Sequence, residues 1–190
     1  EYKPDTSKYF KFNPNLTISN NDNGYLSAFT NQITGLKVSD GTMRDTSTSN
    51  SPNFSGSLLY NHKFRKRGRT LSTYVTGGDN RSQSDENYNN TSVFYNPMGS
   101  AIDSVLLQHI TQDNRTKNYS ARLSYTESLT KTRNLEINYA YSWQQIGNDR
   151  KNYNVDDLTG AQTYVDISSN IYTNTLTTHR IGLNLRTTLK

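Results

Sequence analysis

The chain has 190 residues, a formal net charge of +5, 31% hydrophobic residues and a mean hydropathy of −0.89. That length suits one domain, and the leanness argues against a conventional packed core, although 14 tyrosines stand out. With no cysteine, disulfides, thiolate metal sites and thiol catalysis are excluded.

No apolar run approaches the ~20 residues of a transmembrane helix, and no signal peptide opens the chain. Glu1 suggests a mature or excised sequence. Disorder competes for so polar a composition, but regular aromatic alternation opposes it.

In chain order, Lys3-Pro4-Asp5 reads as a turn. Over residues 8–20, Phe10, Phe12, Leu16 and Ile18 share one phase with Pro14. A strand carrying that proline is expected at an edge, bulged or interrupted. Asn20 to Gly24 reads as a turn or wide bulge; it lacks the spaced acids of a calcium loop. A strand follows over 25–34, then a long polar loop over 35–52.

Leu58, Tyr60, His62 and Phe64 alternate again. Arg65-Lys66-Arg67-Gly68 is a short link, and Leu71, Thr73 and Val75 return on the other arm. Pairing Tyr60 with Thr73 and Leu58 with Val75 puts both apolar sets on one face and leaves 65–68 as the loop. No aromatic residues interleave with the basic cluster, so it reads as a solvated turn and not as a nucleic-acid site.

A polar loop is expected over 78–90, a strand over 91–96 and a turn at 96–100, within a loop over 97–104. Alternation resumes over 105–116 with Leu107, His109 and Thr111.

The clearest unit is Tyr119 to Trp143. Tyr119, Ala121, Leu123 and Tyr125 share a face, and so do Leu135, Ile137, Tyr139, Tyr141 and Trp143. A two-residue period on either side of a short polar link, with Thr130 and Lys131 at its tip, reads as a β-hairpin. Pairing Tyr125 with Leu135, Leu123 with Ile137 and Ala121 with Tyr139 keeps the apolar faces together. A further loop is expected over 156–162. A single last strand over 163–186 carries Leu183 and Leu185 in phase.

The expected fold is all-β: an antiparallel meander of long hairpins, about six strands. Short basic links at 65–68 and 129–132 alternate with long polar loops at 35–52, 97–104 and 156–162. Each arm has an apolar-alternating half next to a short link and a polar half beyond it. A strand crosses a bilayer in ~9–11 residues. Outer-membrane barrels combine short turns, long loops, an apolar band, aromatic girdles and a polar interior. On that reading Leu123, Leu135, Ile137, Leu183 and Leu185 face lipid. Tyr119, Tyr125, Tyr139, Tyr141 and Trp143 supply girdles. Arg122, Asn134, Glu136, Asn138, Asn184 and Arg186 face a wet lumen. The alternative from the same periodicity is a soluble all-β cell-surface binding or adhesion module with one buried face. Carbohydrate would then meet exposed Tyr and Trp143.

No HExxH, P-loop, GxGxxG or GxSxG occurs, and His62, His109 and His179 fall on separate strands at girdle-like positions. Asp156-Asp157 and Asp85-Glu86 fall in expected loops, where adjacent acids are solvated. No enzyme, cofactor or metal site is read.

FSGSLLYNHKFRKRGRTLS, YSARLSYTESLTKTRNLEINYAYSW and TTHRIGLNLR resemble the barrel region of outer-membrane proteins in the TonB-dependent receptor superfamily, Bacteroidetes-type branch. The resemblance implies an outer-membrane location and a barrel of more than 20 strands enclosing a plug. It also implies energy from a TonB-type inner-membrane partner and uptake of an extracellular ligand. About six strands cannot close a barrel whose smallest size is eight, and no plug or TonB box is recognisable. The 190 residues therefore read as one partial barrel domain, inactive alone.

Overall fold

The computed structural model describes residues 1–96 and 100–187, except the Lys3 side chain. The strands are β1 (Tyr2–Asp5), β2 (Lys8–Ile33), β3 (Leu36–Lys63), β4 (Thr70–Tyr95), β5 (Ala101–Ser128), β6 (Arg133–Val155), β7 (Gln162–Tyr164) and β8 (Asn170–Thr187). They form one antiparallel sheet in the order β1-β2-β3-β4-β5-β6, with β7 and β8 both pairing β6. The expected all-β meander of about six long strands is what forms.

The sheet is not closed on itself among the described residues. β1 pairs with β2 only at Tyr2–Phe10 and Asp5–Lys8, so the rest of β2 is a free edge, as is the far side of β8. Pro14 lies on that free edge, in unbroken register opposite Gly56. The expected edge position holds and the interruption does not, because a missing N–H breaks nothing where no neighbour strand stands.

Several expected loops are strand. Residues 20–24, 36–52, 78–90 and 101–104 all lie inside β2 to β5 and are paired residue by residue, apart from Val38, which bulges where the β2–β3 register shifts. Both faces of these segments are mostly polar, so no sustained alternation marks them, yet the backbone ladder needs none. The loop expected over 35–52 shrinks to Thr34-Gly35, with φ of 49° and 80°. Two residues of positive φ make the hairpin turn whose twist matches the strands. Lys3-Pro4-Asp5, expected as a turn, ends β1; the turn comes at Thr6-Ser7, where Asp5 Oδ1 accepts from the Ser7 and Lys8 amides at 2.7 and 2.9 Å. The 96–100 turn falls partly outside the described residues; the Asn96 amide donates to Ser100 O at 3.0 Å.

The 65–68 hairpin has the expected register, Leu58 opposite Val75 and Tyr60 opposite Thr73. Gly68, with φ 79°, closes its link. The next hairpin is displaced by two residues from expectation. Tyr125 faces Ile137, Leu123 faces Tyr139 and Ala121 faces Tyr141, while Leu135 faces Glu127. A shift of two leaves every side chain on its own face, so apolar pattern alone does not choose between the registers. The turn chooses. Leu129 and Thr130 amides both donate to Arg133 O (3.0 and 3.1 Å), and Thr130 Oγ1 accepts from the Arg133 amide at 3.0 Å.

The last strand is two strands. Between β7 and β8, Val165 to Ser169 leaves the ladder through a short 3-10 turn (Asp166–Ser168). Asn152 holds this excursion: its amide donates to Ser169 Oγ, its Nδ2 to Ser168 Oγ (both 3.0 Å), and its carbonyl accepts from Val165 at 2.8 Å. Asn152 is 4% exposed. The 156–161 loop comes where a loop was expected. There Asp156 Oδ1 accepts from the amides of Leu158 and Thr159 at 3.2 and 2.7 Å.

Candidate functional site

Residues directly opposite in a sheet share a face. One face carries a chain of such rows. Phe10, Tyr60, Thr73, Leu123, Tyr139 and Ile181 form one; Phe12, Leu58, Val75, Ala121, Tyr141 and His179 form the next. On either side lie the rows Leu71–Tyr125–Ile137–Leu183 and Gly77–Tyr119–Trp143. The expected lipid-facing and girdle residues therefore all come together on one surface. It also takes in Phe12, Leu16 and Ile18, whose alternation was visible but which periodicity alone did not join to the others, and Phe54, which stands opposite Leu16.

Nothing covers this surface. Phe12 is 62% exposed, Leu183 68% and Ile181 79%; Ile110, at 7%, is the only buried hydrophobic side chain among the described residues. A soluble sheet would lay a second layer over such a face. Exposed apolar patches beyond a few hundred Å² mark interaction or membrane surfaces.

The band has two ordered margins. At the short-turn end, Phe10, Tyr60, His62, Phe64 and Tyr125 run ring to ring, with centroids 4.4–6.4 Å apart. At the other margin Tyr119 stacks on Trp143 at 5.5 Å. Between them His179 lies against Tyr141 at 5.1 Å and bonds the Tyr139 hydroxyl at 2.9 Å. Leu135 to Trp143 is nine residues, near the ~9–11 that cross a bilayer.

The far margin does not follow one hydrogen-bonded row. On β2 the unbroken apolar run of this face ends at Ile18; on β5 it ends at Tyr119, on β6 at Trp143 and on β8 at Ile181, with His179 next, and beyond it the face carries only scattered apolar residues such as Leu26, Leu107, Tyr153 and Ile171. Ile181 and His179 stand in the rows of Phe10 and Phe12. Across the five steps from β2 to β8 the margin thus slides from residue 18 to the row of residue 12 or 10, six to eight residues. With ~4.8 Å between strands and ~3.3 Å per residue, that slant is a strand tilt of about 40–48°. Barrel strands tilt ~35–45°. A level slab cutting tilted strands leaves this pattern.

Past the far margin the same face turns ionic. Arg81 stands opposite Arg115, and each takes a diagonal carboxylate: Arg115 holds Asp79 through Nε and Nη2 (2.8 and 2.5 Å), and Arg81 holds Asp113 (2.9 and 2.5 Å). These fork-shaped pairs lower the pKa of both carboxyls. His109 lies here too, its Nε2 3.3 Å from Asp85, so of the three histidines only His62 and His179 sit within the band.

At the short-turn end one carboxylate joins the two basic links. Glu127 accepts from Arg69 Nε at 2.7 Å, from Lys66 and from the Tyr125 hydroxyl at 2.7 Å. Arg69, Lys66 and Tyr125, in that order, pull its pKa down to about 2. Lys66 is therefore a clamp between turns; no contact of Arg65, Arg67 or Lys131 comparable to it occurs among the described side-chain bonds.

The opposite face is mostly polar across the band, with Leu59, Tyr74 and Ala140 among the exceptions. Arg122 and Arg180 flank Ala140, Asn134 faces Arg186, and Glu136 faces Asn184 and accepts from Ser124 Oγ at 3.0 Å. In the far half the same face shelters Ile110 and Glu86, whose carboxyl is pushed up by burial and by Asp45. Among the described residues no cluster of three or more potential metal ligands forms.

Residues 62–190 match the outer membrane protein beta-barrel family. The chain belongs to that family. It is accordingly an outer-membrane protein with lipid as its surroundings, and its open sheet is barrel wall. No curated protein matches the sequence.

Proposed function

We propose that this chain is part of the wall of a TonB-dependent-receptor-like importer of the Bacteroidetes type, taking up a nutrient across the outer membrane. The observation that carries the reading is the slanted band, whose tilt suits a barrel and whose height suits one bilayer. The outer aromatic face, with Tyr119, Leu123, Tyr125, Leu135, Ile137, Tyr139, Tyr141, Trp143, Leu183 and Leu185, meets lipid. The polar face lines the lumen. The turns holding Arg65 to Gly68 and Thr130-Lys131 are periplasmic. The opposite halves of the strands stand above the outer leaflet: β6 from Gln144 to Val155 runs about 40 Å at ~3.3 Å per residue.

Six long strands with two free edges need further strands to close, since the smallest such barrels have eight. The reading therefore assigns residues 1–190 to one barrel domain within a larger wall, with a plug and a TonB-type energiser as partners, and gives this piece a transport role and not a catalytic one. The test is uptake by cells expressing the full-length protein, with and without an energised inner membrane. Uptake that survives loss of the proton gradient would contradict the energised-import reading.

A further inference from the structure

The band has one gap. Gly56 and Gly77 face each other across β3 and β4, in a surface otherwise lined mostly by aromatic and branched side chains. Tyr119 lies across Gly77: a Cβ there would come within 3.1 Å of its ring. Over Gly56 the outer side stays open, with the nearest side-chain atom, Phe12 Cε2, 3.9 Å from where a Cβ would be. The result is a notch of about 260 Å³ walled by Phe12, Phe54, Leu58, Val75 and Tyr119.

A second hollow, of about 270 Å³, adjoins it toward the far end. It shares Phe54 and Asp79 and adds Leu16, Arg81 and Arg115. Lys117 stands directly opposite Asp79 on the same face. The ion pairs to Asp79 and Asp113 use Nε and Nη2 of each guanidinium, so each Nη1 is left to a further acceptor. A slot walled mainly by apolar side chains thus opens, at the band's outer margin, past Asp79 onto three cations and two carboxylates. Detergent-like apolar partners would gain nothing from that rim, whereas a phosphate headgroup joined to an acyl chain matches both parts.

We infer that the Gly56–Gly77 notch and the Arg81–Arg115–Lys117 rim together hold one phosphate-bearing lipid of the outer leaflet, its acyl chain against Gly56 and its phosphate on the cations. The inference rests on the lipid-facing reading of the band, and it is continuous with that surface. The occupant is an annular lipid retained in place, not transported cargo. Two independent devices select it: the notch selects the chain, and the rim selects the anionic headgroup.

The test is native mass spectrometry of the full-length protein released from nanodiscs made of phosphatidylcholine with one part in ten of a phosphorylated lipid A. Retention of one lipid A is expected. R81Q with K117Q is expected to reduce retention about tenfold or more. Gly56→Leu, which fills the notch while keeping the rim, is expected to abolish it. Inorganic phosphate at millimolar concentration is expected not to compete. Retention unchanged in both variants, equal retention of dephosphorylated lipid A, or displacement by free phosphate would each overturn the assignment. Quenching of Trp143 by brominated lipid in the same nanodiscs reads the band itself, so a failed notch is distinguishable from a failed band.

Discussion

The two halves of each long strand share one backbone ladder and obey different side-chain rules. Near the short turns, one face is a band of Leu, Ile, Phe and Tyr and the other is mainly Ser, Asn, Arg and Glu. Beyond Tyr119 and Trp143 both faces are mostly polar, with scattered apolar residues such as Leu107, Ile110 and Ile146, and cross-strand ion pairs such as Arg115–Asp79 take the place of the aromatic rows. Pairing continues across that margin without a register shift in β3–β4, β4–β5 or β5–β6. The hydrogen-bond ladder therefore makes the sheet, and the side chains only say what each half touches. An uncovered apolar face is stable in lipid and a liability in water; the far half has scattered apolar side chains and no continuous face of that kind.

Substitution by depth sharpens this contrast most. Leu123→Arg, in the middle of the band, is expected to cost about 2–4 kcal/mol of folded stability in bilayers, while Tyr119→Arg at the margin costs about 0–1 kcal/mol. Thr111→Arg, on the same face of the far half, is expected to lie within about 0.5 kcal/mol of wild type. Urea titration of the full-length protein in liposomes measures all three. Equal effects at Leu123 and Thr111 would erase the distinction between the halves.

The next effect is confined to the far half. Asn152→Ala removes the Nδ2 bond to Ser168, worth about 0.5–1.5 kcal/mol. It is expected to open residues 165–169 to protease without changing membrane insertion. Loss of insertion would mean that the two halves are not separable.

Acid acts at the short-turn end. Glu127 is depressed from 4.5 to about 2, so its contribution is full above about 4.5 and is lost as pH falls toward 2. Glu127→Gln is expected to flatten the fall in stability between those values and to leave the far half's protease resistance unchanged. A pH profile that the substitution does not alter would remove Glu127 as the clamp. The smallest effect has the opposite sign. Burial and Asp45 raise Glu86, so its charged form is disfavoured in the fold above its ordinary pKa. Glu86→Gln is expected to stabilise the far half slightly, within about 0.5 kcal/mol, read by hydrogen exchange at Ile110. A marked loss of protection there would reverse that sign.

What the sequence made legible follows the same division. Where the two faces meet different surroundings, alternation named the residues: Tyr119 to Trp143, Leu58 to Val75 and Leu183 with Leu185. Where both faces meet water, alternation vanished, and residues 36–52 and 78–90 read as loop although they are strand. The Thr34-Gly35 turn was hidden for the same reason: Ile33 and Leu36 flank it, but the arm that leaves it is too polar to read as a strand. The two-residue register of the 119–143 hairpin lay below the resolution of periodicity, because it was decided by Thr130 Oγ1 and the Arg133 carbonyl. The slant of the band needed the pairing of all six long strands and was invisible strand by strand. The Asn152 anchor and the Glu127 clamp join residues 16–17 and 58–61 apart, and nothing in local pattern marks them.

Trp143 is the single tryptophan of the chain and sits on the far margin of the band. Its fluorescence, measured on the chain's 190 residues in place within the folded protein with any other tryptophan replaced by Phe, reads the margin directly. Vesicles containing lipid brominated close to the headgroup should quench it strongly, and lipid brominated near the chain end should quench it weakly. Iodide quenching with no effect of either brominated lipid would put Trp143 in water and contradict a lipid-facing band.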